Sequence, residues 1–208
     1  MAPSRPVRSD GQSLLVSAFC EVHALTSPTA ESEMSYSICL DPKALKVESG
    51  QGTTTFADGG AGNGTEIASG SSVSIPKWNT FSQLFNQYRV NSATCTVRGS
   101  LSSIEFPINI SNDIGDSTPS QSQLQATSGA HKTFYITESR REAKYQVKNS
   151  GNQLDFLSTS ASQAQVDADK RYIKVHQHLP KTENGAVVIS HGIQVYLSLT
   201  LKDSKNLN

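Results

Sequence analysis

Pro76-Lys77-Trp78-Asn79-Thr80-Phe81-Ser82-Gln83-Leu84-Phe85-Asn86-Gln87-Tyr88-Arg89-Val90-Asn91-Ser92-Ala93-Thr94-Cys95-Thr96-Val97 carries two hydrophobic periods with almost no gap between them. Phe81, Leu84, Phe85 and Tyr88 stand at i, i+3, i+4 and i+7, the apolar stripe of a short helix. Asn79 or Thr80 is a suitable N-cap for it. From Ala93 the period becomes two, so Ala93, Cys95 and Val97 share one face of a strand. The three-residue step from Val90 to Ala93 breaks strict alternation and predicts a bulge or a strong local twist.

Outward from this junction the chain reads as strands and turns. Upstream, Leu14, Val16, Ala18, Cys20, Val22 and Ala24 occupy one strand face, and Leu15, Ser17, Phe19, Glu21 and His23 the other. A turn at Ser27-Pro28-Thr29 precedes a short strand from Tyr36 to Leu40 that stops at Asp41-Pro42. Residues 48–74 hold half of the 14 glycines and read as a long surface loop. Downstream, Ile104, Phe106, Ile108 and Ile110 share a strand face, and Pro107 on the other face predicts an edge strand. Thr118-Pro119 has the signature of a second short helix, Ser120 to Ala126. Phe134 and Ile136 mark one strand. Ala143, Tyr145 and Val147, alternating with Lys144, Gln146 and Lys148, mark a half-exposed one. Residues 149–169 form a second loop, and Tyr172 to Leu179 a strand. In the final strand Val187, Ile189, Ile193, Val195, Leu197, Leu199 and Leu201 are all odd-numbered, and His191-Gly192 reads as a turn that splits it in two.

The inventory is all-β: a single jelly-roll sandwich of about eight antiparallel strands, in two four-stranded sheets, with two short helices and long loops. Its limits are a flexible arm at 1–12, the domain at 13–202 and a tail at 203–208. A chain of 208 residues builds one substantial core. No apolar run reaches the roughly 18 residues of a membrane span, and the first residues have no signal-peptide core. Cys20, Cys39 and Cys95 lack metal spacing and read as buried free thiols. The triplets at Asn63 and Asn109 read as chance matches to the glycosylation signal.

The helix followed by Tyr88-Arg89-Val90 and alternating apolar residues resembles the capsid proteins of small viruses with circular single-stranded DNA genomes, the circovirus-like viruses that encode a Rep protein. The order of further features matches that family as well: an acidic stop at Asn112-Asp113 and Asp116, and a long final strand. The resemblance implies a coat protein that self-assembles into a small icosahedral shell of 60 subunits like itself around single-stranded DNA. It implies a virion location after assembly in the nucleus or cytoplasm of the host cell. No motif identifies a host receptor, and no membrane is implied. Trp78, Phe81, Phe85, Tyr88 and Arg89 become the structural and assembly candidates, with Trp78 and Phe81 anchoring the helix on the sheet or on a neighbour. The chain departs from the family in its arm. Relatives often carry a long arginine-rich arm, whereas only Arg5 and Arg8 lie in the first twelve residues here. That puts genome binding in doubt, though not the shell. Either the arm was removed, or packaging is weak, or it uses interior surface charge.

Net charge is zero, with 18 basic and 18 acidic side chains, so nucleic-acid binding needs a local patch. Two groups qualify: Arg140, Arg141, Lys144 and Lys148, and Lys170, Arg171 and Lys174. Lys144 and Lys148 share a strand face, as would Lys170 and Lys174, and cations of this kind hold phosphates without sequence preference. The plainer reading is a solvated face balanced by Glu138, Glu142 and Asp169.

No cofactor or enzyme motif is present. His176 and His178 share one side of a strand but have no third ligand, so an exposed face is expected. His191 reads as a hydrogen-bonded core or turn residue. Asp113, Asp116, Asp155, Asp167 and Asp169 read as loop carboxylates rather than a calcium site. Two rivals remain, the coat of a small RNA virus and a carbohydrate-binding jelly roll. The second would need Tyr145 and Tyr172 exposed on one sheet.

Overall fold

The computed structural model describes residues 12–43, 45–49, 54–56, 65–66, 75, 77–99, 107–114, 132–137, 140–148, 156–160 and 171–205. The expected second helix, Ile104, Phe106 and most of both long loops lie outside them. The eight principal strands are β1 (Gln12–Leu25), β2 (Ser32–Cys39), β6 (Phe85–Gly99), β7 (Pro107–Ile114), β8 (Lys132–Tyr135), β9 (Glu142–Lys148), β11 (Arg171–Leu179) and β12 (Val188–Ser204). Short segments β3 (Lys46–Ser49), β4 (Thr54–Phe56), β5 (Thr65–Glu66) and β10 (Leu157–Ser158) extend them. One helix, α1 (Trp78–Leu84), precedes β6.

The first sheet runs β1-β12-β6-β9, with β4 and β5 beyond β1 and β10 alongside β6. The second runs β3-β2-β11-β7-β8. All of these pairings are antiparallel except the two-residue β1–β5 pair. Successive principal strands mostly alternate between the sheets, and the last two each insert between two earlier ones, β11 between β2 and β7 and β12 between β1 and β6, the jelly-roll order. β12 makes this order work. It pairs with β1 from Gln12↔Leu201 to Leu25↔Val188, and with β6 from His191↔Gly99 to Ser204↔Phe85. Its odd positions Ile193, Val195, Leu197, Leu199 and Leu201 are buried, each worth about 1.5–3 kcal/mol of apolar transfer. Against them pack Ala18, Cys20, Val22 and Ala24 of β1, and Cys95 and Val97 of β6.

The bulge predicted between Val90 and Ala93 is present. Ser92 faces Ser198 and Val90 faces Leu199, which leaves Asn91 without an opposite residue. Its side-chain amide donates to Thr200 Oγ1 at 2.8 Å, which anchors the extra residue.

Several expectations are corrected. The helix spans Trp78–Leu84, so Phe85 and Tyr88 belong to β6, where the ladder with β12 overrides the helical stripe. The N-cap is Lys77 in the left-handed region (φ 63°), not Asn79 or Thr80. Its carbonyl accepts from Phe81 N at 3.0 Å to close the first turn. Pro107 opens β7, which lies between β11 and β8 rather than at an edge, because a proline at a strand's first residue leaves the ladder intact. His191-Gly192 is no turn; β12 runs through it without a break.

Trp78 holds the helix down. It is buried, and its ring meets Tyr88 edge to face at 4.9 Å between centroids and 81°. The Tyr88 hydroxyl donates to buried Asp41 Oδ1 at 3.3 Å, an atom that also accepts from Lys43 N at 2.9 Å. Burial first, then the charge and hydrogen bond of Asp41, hold the Tyr88 phenol far above its ordinary pKa. Beyond β12, Lys205 N donates to Leu84 O at 2.8 Å, which ties the end of the last strand to the helix. Trp78→Ala is expected to lower the unfolding free energy by about 3–5 kcal/mol in urea titration. An unchanged midpoint would show that the helix is not anchored there.

Candidate functional site

The two sheets are joined by polar bridges as well as by the core. Tyr36 OH of β2 lies 3.1 Å from His191 Nδ1 of β12, and His191 Nε2 lies 2.7 Å from Gln177 Oε1 of β11. The amide oxygen can only accept, so Nε2 carries the proton and Nδ1 accepts from the tyrosine. His191 is 1% exposed, and burial pushes its pKa down to about 4. A second bridge runs from Tyr145 OH of β9 to Asn112 Oδ1 of β7 at 2.8 Å. Burial also pushes the Cys95 thiol up to about 12, and all three cysteines are buried thiols.

The outer faces of the two sheets differ. On the second sheet Ser35, Ser37, Cys39, Asn109, Ser111, Tyr172, Lys174 and His176 are all buried. This corrects two expectations. Lys174 is not on a solvated face, and His176 does not present an exposed face with His178, because the outward side of β11 is covered along most of its length. His176 Nε2 lies 3.6 Å from Glu33 Oε2, and His178 Nε2 lies 3.5 Å from Glu31 Oε2. Burial lowers the His176 pKa, with the Glu33 charge opposing it. Among the described residues no group of three metal-ligating side chains occurs.

The outer face of the first sheet is open. Cross-strand rows run Phe19–Gln194–Thr96–Lys144 and Ser17–Tyr196–Thr94–Gln146 over β1, β12, β6 and β9. Next to them Arg98 pairs with Glu142 at 3.3 Å, both well exposed. A hollow of about 430 Å³ lies over this face, lined by Leu15, Thr94, Arg98, Lys144, Gln194 and Tyr196 among others. Farther along, Arg89 and Lys202 both lie over the Phe156 ring, at 4.6 and 5.2 Å from its centroid.

The predicted basic residues are therefore separated. Lys144 stands exposed on the open face, with Lys148 on the same strand and Ser92 opposite it. Arg140 and Arg141 are exposed in the turn before β9, where Arg141 O accepts from Gly99 N at 3.2 Å. Arg171 and Lys174 belong to the second sheet, whose outer face is buried, and Arg5, Arg8 and Lys170 lie outside the described residues. Of the assembly candidates, Trp78 and Tyr88 are buried, while Phe81, Phe85 and Arg89 are half-buried. The sequence alone singles out neither Arg98 nor Tyr196, and it shows Lys202 only as a basic residue near the end of the chain. The signal for Tyr196 was parity, since the even positions of β12 from Gln194 to Lys202 are not aliphatic where the odd ones are, and Arg98 follows Thr94 and Thr96 on the same alternation in β6. Tyr145 and Tyr172 are each 3% exposed and sit on different sheets, so the condition for a sugar-stacking platform is not met.

No family model matches the chain, and no curated protein matches its sequence. Solved structures do match its fold. The Macrobrachium rosenbergii nodavirus virus-like particle of giant freshwater prawn is 13% identical, with a TM-score of 0.58 over 99% of this chain and 92% of that one. The empty capsid of Triatoma virus is 10% identical, with a TM-score of 0.55 over 94% and 92%. The capsid protein of BFDV, a circovirus, in its 60-mer is 11% identical, with a TM-score of 0.50 over 96% and 98%. The fold is the jelly roll found in viral capsid proteins.

The depressed His191 pKa makes stability depend on pH. The unfolded chain protonates this histidine near 6.5 and the folded chain only near 4, so between those values the unfolded state binds more protons. The contribution is complete above pH 6.5 and falls as pH drops toward 4, by on the order of 3 kcal/mol. Urea unfolding across this range is expected to show that loss, with a shallower dependence in His191→Gln. Equal slopes in the two proteins would exclude His191 as the source.

Proposed function

We propose that this chain is a viral coat protein that self-assembles into a small icosahedral shell around a nucleic acid. The observation that carries the reading is the jelly-roll strand order, which accounts for nearly the whole chain and nearly the whole length of capsid proteins such as that of the nodavirus particle. The role is structural rather than catalytic. A sandwich with rigid sheets and loops at its ends offers sides that repeat by rotation, so one fold tiles a closed surface through symmetric contacts. Leu25 and Val188 support such contacts. They face each other in register at one end of β1 and β12, 51% and 50% exposed.

The finer reading is a capsid of a circovirus-like single-stranded DNA virus with sixty subunits. Its support is the helix leading into Tyr88-Arg89-Val90 and the likeness to the BFDV 60-mer. A coat of a small RNA virus is favoured by the likeness to the nodavirus particle.

Electron microscopy of the purified protein, with absorbance at 260 and 280 nm on the same sample, tests the proposal. Uniform round shells are expected, with a raised ratio that DNase but not RNase removes after the shells are opened. Leu25→Glu with Val188→Glu should leave the circular dichroism spectrum unchanged and abolish the shells. Monomers of the parent protein across salt and pH would overturn the coat-protein reading. RNase-sensitive contents would transfer it to an RNA virus.

A further inference from the structure

The open face of the first sheet has a charge distribution that its hydrophobic pattern does not require. Arg98 and Lys144 stand at one end of it, Arg89 and Lys202 at the other, against Glu21 and Glu142. From the Gly192 row to the Lys202 row the face extends ten residues along β12, about 33 Å at roughly 3.3 Å per residue. Between the ends lie the hydroxyl groups of Thr94, Ser92 and Ser198 around the half-buried Tyr196 ring, with Phe19 and the exposed Leu15 of β1 along one side. Gly192 leaves the middle strand bare near the Arg98 end, where an added Cβ would meet nothing within 4 Å. The Arg98–Glu142 pair is a surface pair of small net worth, so the guanidinium can exchange its carboxylate for another anion. Lys144 has no acidic partner within ion-pair distance among the described residues.

We infer that this trough holds the backbone of a single-stranded nucleic acid. Arg98 and Lys144 bind phosphates at one end, Arg89 and Lys202 bind them at the other, and Tyr196 stacks a base between them. Spaced cations that follow a groove, with an aromatic platform inside it, suit single strands of any sequence. Tyr196 borders the hollow over this face, so an unpaired base can reach its ring where a base stacked within a duplex could not. The inference deepens the shell reading and rests on it for the source of the strand. It also makes the open face of the first sheet the one that faces the contents of the particle.

The test uses the full chain and fluorescence anisotropy with labelled oligodeoxythymidylate and oligouridylate across a salt series, the two probes separating DNA from RNA. Arg98→Gln with Lys144→Gln should make the slope of log affinity against log salt shallower by about 1.4, two phosphate contacts at roughly 0.7 each. Tyr196→Ser should weaken binding about fivefold or more with the slope unchanged. Gly192→Glu, which adds a carboxylate in open space, should weaken binding without touching the core. Lys132→Gln with Lys181→Gln, exposed lysines of β8 and of the turn before β12, should change nothing. Melting curves check that each variant folds. Trough variants that bind as the parent does, a parent that binds neither oligonucleotide at low salt, or selective capture of a glycan by this face would each overturn the inference. Shells scored on the same preparations separate the two claims. Trough-dependent binding without shells supports the trough and removes the coat-protein reading. Shells of the Arg98→Gln, Lys144→Gln variant with undiminished nucleic acid remove the trough and keep the coat protein.

Discussion

The ladders that β12 makes with β1 and β6 are the constraint on which the rest of the molecule depends. The strand that completes the first sheet is the last of the described strands to be synthesised. Thr26 and Val187, which close the shared end of β1 and β12 through paired hydrogen bonds, are 161 residues apart in the chain. Until β12 docks, β1 and β6 are both missing a neighbour and their apolar faces are uncovered. So non-local a topology folds slowly relative to its size. It also sets the site, because the register that buries Ile193, Val195 and Leu197 turns Gln194, Tyr196 and Ser198 to the outside.

The sandwich is asymmetric. Its inner faces are apolar and bridged by Tyr36, His191 and Gln177. Over β2, β11 and β7 the outer face of the second sheet is polar and buried; among the described residues the hydroxyls of Ser37 and Ser111 have no hydrogen-bond partner, and His176 has only the 3.6 Å approach of Glu33. Such groups cost stability relative to satisfied ones. The outer face of the first sheet is polar and open, and it carries the cations. A molecule built in this way has one broad side largely enclosed by its own chain and one left open.

Much of the fold was legible because strands with one wet face alternate strictly. β1, β9 and the odd positions of β12 read directly, and the missed beat at Asn91 marked the bulge. The helix was legible as an element but not in its limits. Phe85 and Tyr88 satisfy a helical stripe and a strand equally well, and only pairing with β12 decides between them. Burial of Lys174 and His176 was not legible, since alternation shows that a face is polar but not whether it is covered. The trough was half legible. Lys144 was read from its own strand, whereas Arg98 and Tyr196 join it only through the register of three strands. The likeness to capsid proteins lies in the fold, at identities of 10–13%, because the same strand order is compatible with very different sequences.

The central claim is that this jelly roll closes a shell, and a shell has a definite mass. Native mass measurement of the purified protein tests it most directly. Sixty copies of a 22.4 kDa chain give about 1,340 kDa, the stoichiometry of the BFDV 60-mer. A discrete species at that mass, or at another icosahedral multiple of the subunit, with the mass of any enclosed nucleic acid added, is the predicted result. A single species at 22.4 kDa under every salt and pH tried would contradict it.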